Sequence, residues 1–165
     1  MAITQKIVPN LWFDGKAEEA VNFYTSVFKN CSLGRTFYYS EAGCEQHKKE
    51  PGTVMAIEFN IERQAYMALN GGPEFNFTEA VSFIIYCDEQ EEVDYYWDKL
   101  TEGGDPKAQV CGWLKDKYGV SWQVVPRILD DMIADDNKEK SDKALLAMMK
   151  MQKLDIASLK EAFDS

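Results

Sequence analysis

The sequence predicts an α+β fold made of two paired βαβββ modules and a C-terminal helical tail. Three observations lead there. Short runs rich in β-formers are followed directly by amphipathic helices, once in LWFDGKAEEAVNFY and again in FIIYCDEQEEVDYYW. The two openings align at one offset of 72 residues, which sets Leu11 on Phe83, Phe13 on Ile85, Val21 on Val93 and Tyr24 on Tyr96. Beyond Pro126 the alternation stops and apolar residues recur at helical spacing.

The first module spans 5–72. Residues 6–13, KIVPNLWF, read as a strand, with Pro9 marking an early or edge position. Asp14-Gly15 turns the chain, and Asp14 is the expected cap of a helix whose Ala20, Val21, Phe23, Tyr24, Val27 and Phe28 form an apolar stripe. Asn30 closes that helix, and a strand runs from Ser32 to Tyr39. Residues 40–52 are a polar loop holding His47, the single histidine. Residues 53–60 and 64–69 form a hairpin, and 70–75 a Gly/Pro turn.

The second module spans 77–126. Residues 80–87 suit a buried strand, and the next helix places Val93, Tyr96, Trp97 and Leu100 on one face. Gly103-Gly104 ends it. Strands are expected at 108–114 and 120–125 around the turn 116–119. The tail, 127–165, holds three helices; Asp155 caps the last, with Leu154 and Leu159 stapling its entry. A βαβββ half leaves one sheet face uncovered, so the repeat is expected to close two halves into a curved shell around a cleft, the kind of place ligands favour.

Composition sets bounds on partners. The chain has 165 residues and a formal net charge of −10, with Lys and Arg scattered among carboxylates. Nucleic acid and anionic membranes are therefore not expected as partners. No apolar run is long enough for a membrane span, and MAITQKIVPN lacks the pattern of a secretory signal, so a cytoplasmic location is expected. Cys31, Cys44, Cys87 and Cys111 form no C-x-x-C pair and read as free thiols.

LWFDGKAEEAVNFY, MALNGGPEFNFTEAVSF and CGWLKDKYGVSWQVVP, with DDMIADDNKEK before the tail, resemble the PhnB-like family labelled 3-demethylubiquinone-9 3-methyltransferase. That family lies within the vicinal-oxygen-chelate superfamily of glyoxalase and bleomycin-resistance proteins. The resemblance implies a single glyoxalase-like domain over 1–165 with a curved sheet, a small-molecule ligand and a homodimer. Many relatives hold a divalent ion with His, Gln and Glu. Here the first strand offers Val8, Pro9 or Asn10, its counterpart Glu79, Ala80 or Val81, and the hairpin Ala68 or Asn70. Gln123 alone stands where relatives often carry Glu, so no metal site is expected. No cofactor is expected either, because neither Asp14-Gly15 nor Gly71-Gly72 provides the glycine-rich strand-to-helix turn of a doubly wound methyltransferase.

Two residues are candidates for chemistry. Gln123 is placed facing the cleft with Trp122 turned to a helix, and Cys111 is a thiol beside Gly112 and Trp113. Cys111 needs a base or cation, for which Lys115 or Lys117 would serve; the alternative is a small packed residue. Asn70, Trp113, Asp116 and Phe13 are candidate ligand-binding residues, although Asn70 and Asp116 equally suit turn chemistry and aromatics are often core. The expected function is binding of a small organic molecule in a metal-free cleft. The alternative is a metal-independent enzyme, or one of the labelled methyltransferase type, acting on a small metabolite.

Overall fold

The computed structural model describes residues 3–165, in two compact units that divide between Asn76 and Phe77. In the first unit, β1 (Asn10–Phe13) leads to α1 (Ala17–Val27) and β2 (Cys31–Tyr38). A four-residue helix, α2 (Cys44–His47), interrupts the polar segment expected as a loop. The hairpin β3 (Val54–Ile61) and β4 (Gln64–Asn70) completes a sheet in the order β1-β4-β3-β2. β1 and β4 are parallel; the other pairs are antiparallel.

Alternation decides which side chains α1 covers. Leu11, Phe13, Ile57, Phe59, Ile61, Tyr66 and Ala68 are buried, and strand register places them on one face. The buried stripe of α1, Ala17, Ala20, Val21, Tyr24 and Val27, meets that face, with Tyr24 stacked on Phe59 at 6.3 Å between ring centroids. Trp12 lies on the other face. Its indole covers Gly71, where a Cβ would come within 2.2 Å of the ring, donates to the Gly72 carbonyl at 2.8 Å and meets Phe75 edge-on at 4.9 Å. Trp12 thus shapes the Gly/Pro turn.

The second unit holds β5 (Phe83–Cys87), α3 (Gln90–Thr101), β6 (Trp113–Lys115) and β7 (Ser121–Pro126), in the sheet order β5-β7-β6. The strand expected over 108–114 is confined to Trp113–Lys115. A 3-10 turn at Pro106–Ala108, capped by Asp105, and an isolated bridge from Val110 to Trp113 take the place of the rest. Pro106 has no N–H to donate to a ladder, and Asp105 offers the backbone a local alternative. The second module is thus one strand poorer than the first, though β1-β4 and β5-β7 pair in the same parallel manner.

The tail forms α4 (Arg127–Ile133), α5 (Lys138–Met148) and α6 (Ile156–Asp164). As expected, the Asp155 side chain accepts from the Ser158 N–H at 2.7 Å. Leu154 and Leu159 are both fully buried in a cluster with Val125, Leu129, Met132 and Ala144; each contributes about 2 kcal/mol of apolar burial. The loop between α5 and α6 is tied at both edges. Cys111 and Gly112 N–H groups donate to the Met151 and Gln152 carbonyls at 2.8 Å. The Gln90 amide donates to the Leu154 carbonyl at 3.1 Å and accepts from the Ile156 N–H at 2.8 Å.

Candidate functional site

The second sheet separates its residues cleanly. Cys87, Leu114, Trp122 and Val124 are buried on one face, the side packed by Val93, Trp97 and Leu100 of α3. The opposite face carries Ile84, Gln123 and Trp113, which are register neighbours across the three strands. Gln123 and Trp113 are half-buried there. The Gln123 amide nitrogen donates to Ser82 Oγ at 2.9 Å, which orients the amide oxygen. Two residues earlier, Ser121 is only 2 % exposed, and its hydroxyl has no hydrogen-bond partner among the described residues. A buried hydroxyl without a partner is costly. Opposite Ser121, Lys115 is ion-paired with Glu79, which holds the Glu79 carboxyl below its ordinary range.

The other candidates serve the fold. Asp116 is 2 % exposed: one carboxylate oxygen accepts from the Tyr118 and Val120 N–H groups at 2.9 and 3.0 Å, the other from the Trp122 indole at 2.9 Å. Its carboxylate shapes the β6-β7 turn and pins Trp122 on the α3 side. Asn70 is likewise structural. Its side-chain oxygen accepts from the Ala17 N–H at 2.9 Å and its nitrogen donates to the Val54 carbonyl at 3.1 Å. The cap of α1 is thus supplied across the chain by Asn70, in place of the expected Asp14, because the N-cap position is Lys16, which offers no acceptor. Asn70 also lines a pocket of about 210 Å³ with Asp14, Tyr39 and Lys49. Phe13, opposite Asn70 in register, is buried in the first core.

Cys111 has a positive φ of 52°, an uncommon conformation for a residue with a Cβ. Its proposed cations are engaged elsewhere: Lys115 with Glu79, and Lys117 over the Tyr118 ring at 5.4 Å. Of the six candidates, the structure brings Gln123 and Trp113 together, and separately Phe13 and Asn70.

A further charged pair escaped the sequence reading. Glu58, on the central strand β3, is 2 % exposed. Arg35 grips it with two guanidinium nitrogens, at 3.0 and 2.5 Å, and with its backbone N–H at 3.2 Å. That guanidinium holds the Glu58 carboxyl below its ordinary range. The polar stripe Glu58 and Asn60, alternating with Ile57, Phe59 and Ile61, was the available signal.

Metal ligands can be checked by register. The position equivalent to Gln123, opposite the first strand of its own unit, is Leu69, an apolar residue where a ligand is needed. Among the described residues, no group of three or more His, Cys, Asp and Glu could hold a metal ion.

Comparison with known proteins fixes the family. Residues 5–125 match the family described as 3-demethylubiquinone-9 3-methyltransferase. The chain belongs to this family. A solved structure from Bacillus cereus, described as a putative 3-demethylubiquinone-9 3-methyltransferase, PhnB protein, is similar at 37% identity and TM-score 0.62, covering 74% of this chain and 99% of that one. A Pseudomonas aeruginosa protein is similar at 21% identity and TM-score 0.56, covering 74% of this chain and 98% of that one. The fosfomycin resistance protein FosX from Listeria monocytogenes is similar at 12% identity and TM-score 0.54, covering 81% and 100%; these last two show the fold alone. A search of curated proteins gave no match. The expected glyoxalase-like α+β class therefore holds, and α4–α6 lie beyond the family match. The methyltransferase in the family description implies S-adenosylmethionine, which its usual doubly wound fold holds at a glycine-rich strand-to-helix turn. Here the strand-to-helix turns before α1 and α3 are Asp14–Lys16 and Asp88–Glu89 in two small sheets. These residues do not fit that mode of binding.

Proposed function

We propose that this family member binds a small organic molecule against the face of the second sheet that carries Gln123 and Trp113, without a divalent ion. The observation that carries the reading is the Gln123 amide. With its nitrogen committed to Ser82, the amide presents an oriented acceptor oxygen beside a half-buried indole, and the buried Ser121 hydroxyl, without a partner among the described residues, shares that face. A few fixed polar groups among aromatic surface are what small-ligand sites use to set orientation. The fold is shared with FosX, which is described as a fosfomycin resistance protein.

A metabolite panel screened by thermal shift in EDTA tests the reading. Stabilisation of wild type that disappears in Gln123→Ala supports it. Stabilisation that requires added zinc, nickel or manganese contradicts the ion-free part.

Catalysis by Cys111 is a second reading, favoured only by the strained φ of that residue. A Cys111→Ser variant that retains any turnover found would remove it. Among the described residues no helix is long and apolar enough to cross a membrane. A cytoplasmic homodimer is proposed with the exposed Leu145 and Leu146 of α5 and Met149 at its C-terminal cap as contact surface. Light scattering of Leu146→Glu/Met149→Glu tests the dimer, which the reading expects to dissociate; an unchanged mass counts against that surface.

A further inference from the structure

The first sheet carries a polar arrangement that the Gln123 reading does not use. Between Leu33 opposite Phe59 and Thr36 opposite Ile57, two residues of β2, Gly34 and Arg35, face one residue of β3, Glu58. This bulge bends β2 and aims both residues at Glu58. Only glycine fits the first position, since a Cβ on Gly34 would lie 2.7 Å from the Cβ of Glu58. The bulge therefore brings Arg35 onto a carboxylate that register places away from α1, on the side of Ala56 and Asn60.

The way the pair is joined matters more than the pairing itself. Glu58 binds the lateral edge of the guanidinium, through Nε at 3.0 Å and one terminal nitrogen at 2.5 Å. A guanidinium has five N–H donors. The two used here leave the terminal edge, formed by both end nitrogens, without a hydrogen bond among the described residues. That edge is the fork whose spacing matches two oxygens of a carboxylate or phosphate. The Arg35 side chain is 56 % exposed while that of Glu58 is 3 % exposed, so the anchor is buried and the fork accessible. Phe37 lies against the guanidinium, with its ring centroid 5.2 Å from Cζ. A long, rotamer-rich side chain is thus held at one edge and beside an aromatic ring before any ligand arrives.

We propose that Arg35 is an oxyanion-recognition residue, taking the carboxylate or phosphate group of a small organic anion on its terminal edge, with Glu58 as the residue that positions it. A buried anion behind the guanidinium lowers net attraction, so Glu58 acts through geometry rather than through charge. This site lies within the first unit and stands independently of the Gln123 reading.

The test is an NMR titration of the Arg35 Nε–Hε signal in the full-length protein, with succinate in one arm and methylphosphonate in the other. A saturable shift in either arm supports the proposal, and the stronger arm identifies the anion class. No saturable shift in either arm overturns it. Arg35→Lys keeps the charge without the fork and is expected to weaken binding about tenfold, as for loss of paired charge-assisted hydrogen bonds; unchanged affinity overturns the fork. Glu58→Gln separates geometry from charge: positioning predicts weaker binding although the site becomes more positive, whereas tighter binding refutes the role of Glu58. Arg35→Gln/Glu58→Gln leaves no buried charge unpaired, and is expected to fold and to bind neither anion. Retained binding by that variant would place the anion elsewhere.

Discussion

Replacing Asp116 by Asn changes one oxygen to an amide and leaves the shape intact. The native carboxylate accepts, on one oxygen, from the Tyr118 and Val120 N–H groups and, on the other, from the Trp122 indole. An amide has one acceptor. Serving both turn N–H groups sets its NH2 against the buried indole N–H, donor to donor. One charge-assisted bond, about 1.5–3 kcal/mol, is then lost, and the other two weaken by about 1 kcal/mol each. Relief from burying a charge offsets about 1–2 kcal/mol. The net loss is about 3 kcal/mol. Urea unfolding monitored by tryptophan emission should show the midpoint falling by roughly 1.5 M at an unchanged slope of about 2 kcal/mol/M. A loss under about 1 kcal/mol would refute the reasoning, and with an accompanying loss of ligand binding would return Asp116 to the ligand site.

Further outcomes follow from the same geometry. Asn70→Ala removes the cap on the Ala17 N–H and should cost about 1–2 kcal/mol in urea unfolding, whereas Asp14→Ala should leave stability within about 0.5 kcal/mol. Burial pushes the Cys87 thiol up to about 12, so iodoacetamide at about pH 9 should leave Cys87 unmodified by mass spectrometry in the folded protein and modify it once urea unfolds the chain; modification of Cys87 in the native state would contradict its burial. Since Arg35 lowers the folded pKa of Glu58, the stabilisation from ionised Glu58 is present above the unfolded carboxylate value of about 4.3 and is lost as pH falls through the lower folded value. The stability gap between wild type and Glu58→Gln should therefore narrow on acidification; a gap that widens would give the shift the wrong sign.

What the sequence made legible was what local pattern encodes. Apolar stripes located α1 and α3, and the offset between Val21 and Val93 exposed the repeated strand-to-helix opening, β1-α1 and β5-α3. Asp155 and Leu159 marked the start of α6 because caps and staples act within one turn. Long-range partners were hidden. The cap of α1 comes from Asn70, 53 residues away, and Arg35 meets Glu58 across a bulge that no local spacing announces. The strand expected at 108–114 shrank for a reason visible only afterwards, the local turn made by Asp105 and Pro106. Gln123 and Trp113 were both named from the sequence, but their adjacency needed the β6-β7 register.

The Gln123 face is the proposed place where a ligand lies. The most direct measurement is an amide and indole NMR spectrum of the labelled protein, titrated in EDTA with a compound from the panel. Saturable shifts centred on the Gln123 side-chain amide, the Trp113 indole and Ser82 are the predicted result. Shifts confined to α4–α6, or shifts at Gln123 that appear only once a divalent ion is added, would contradict it.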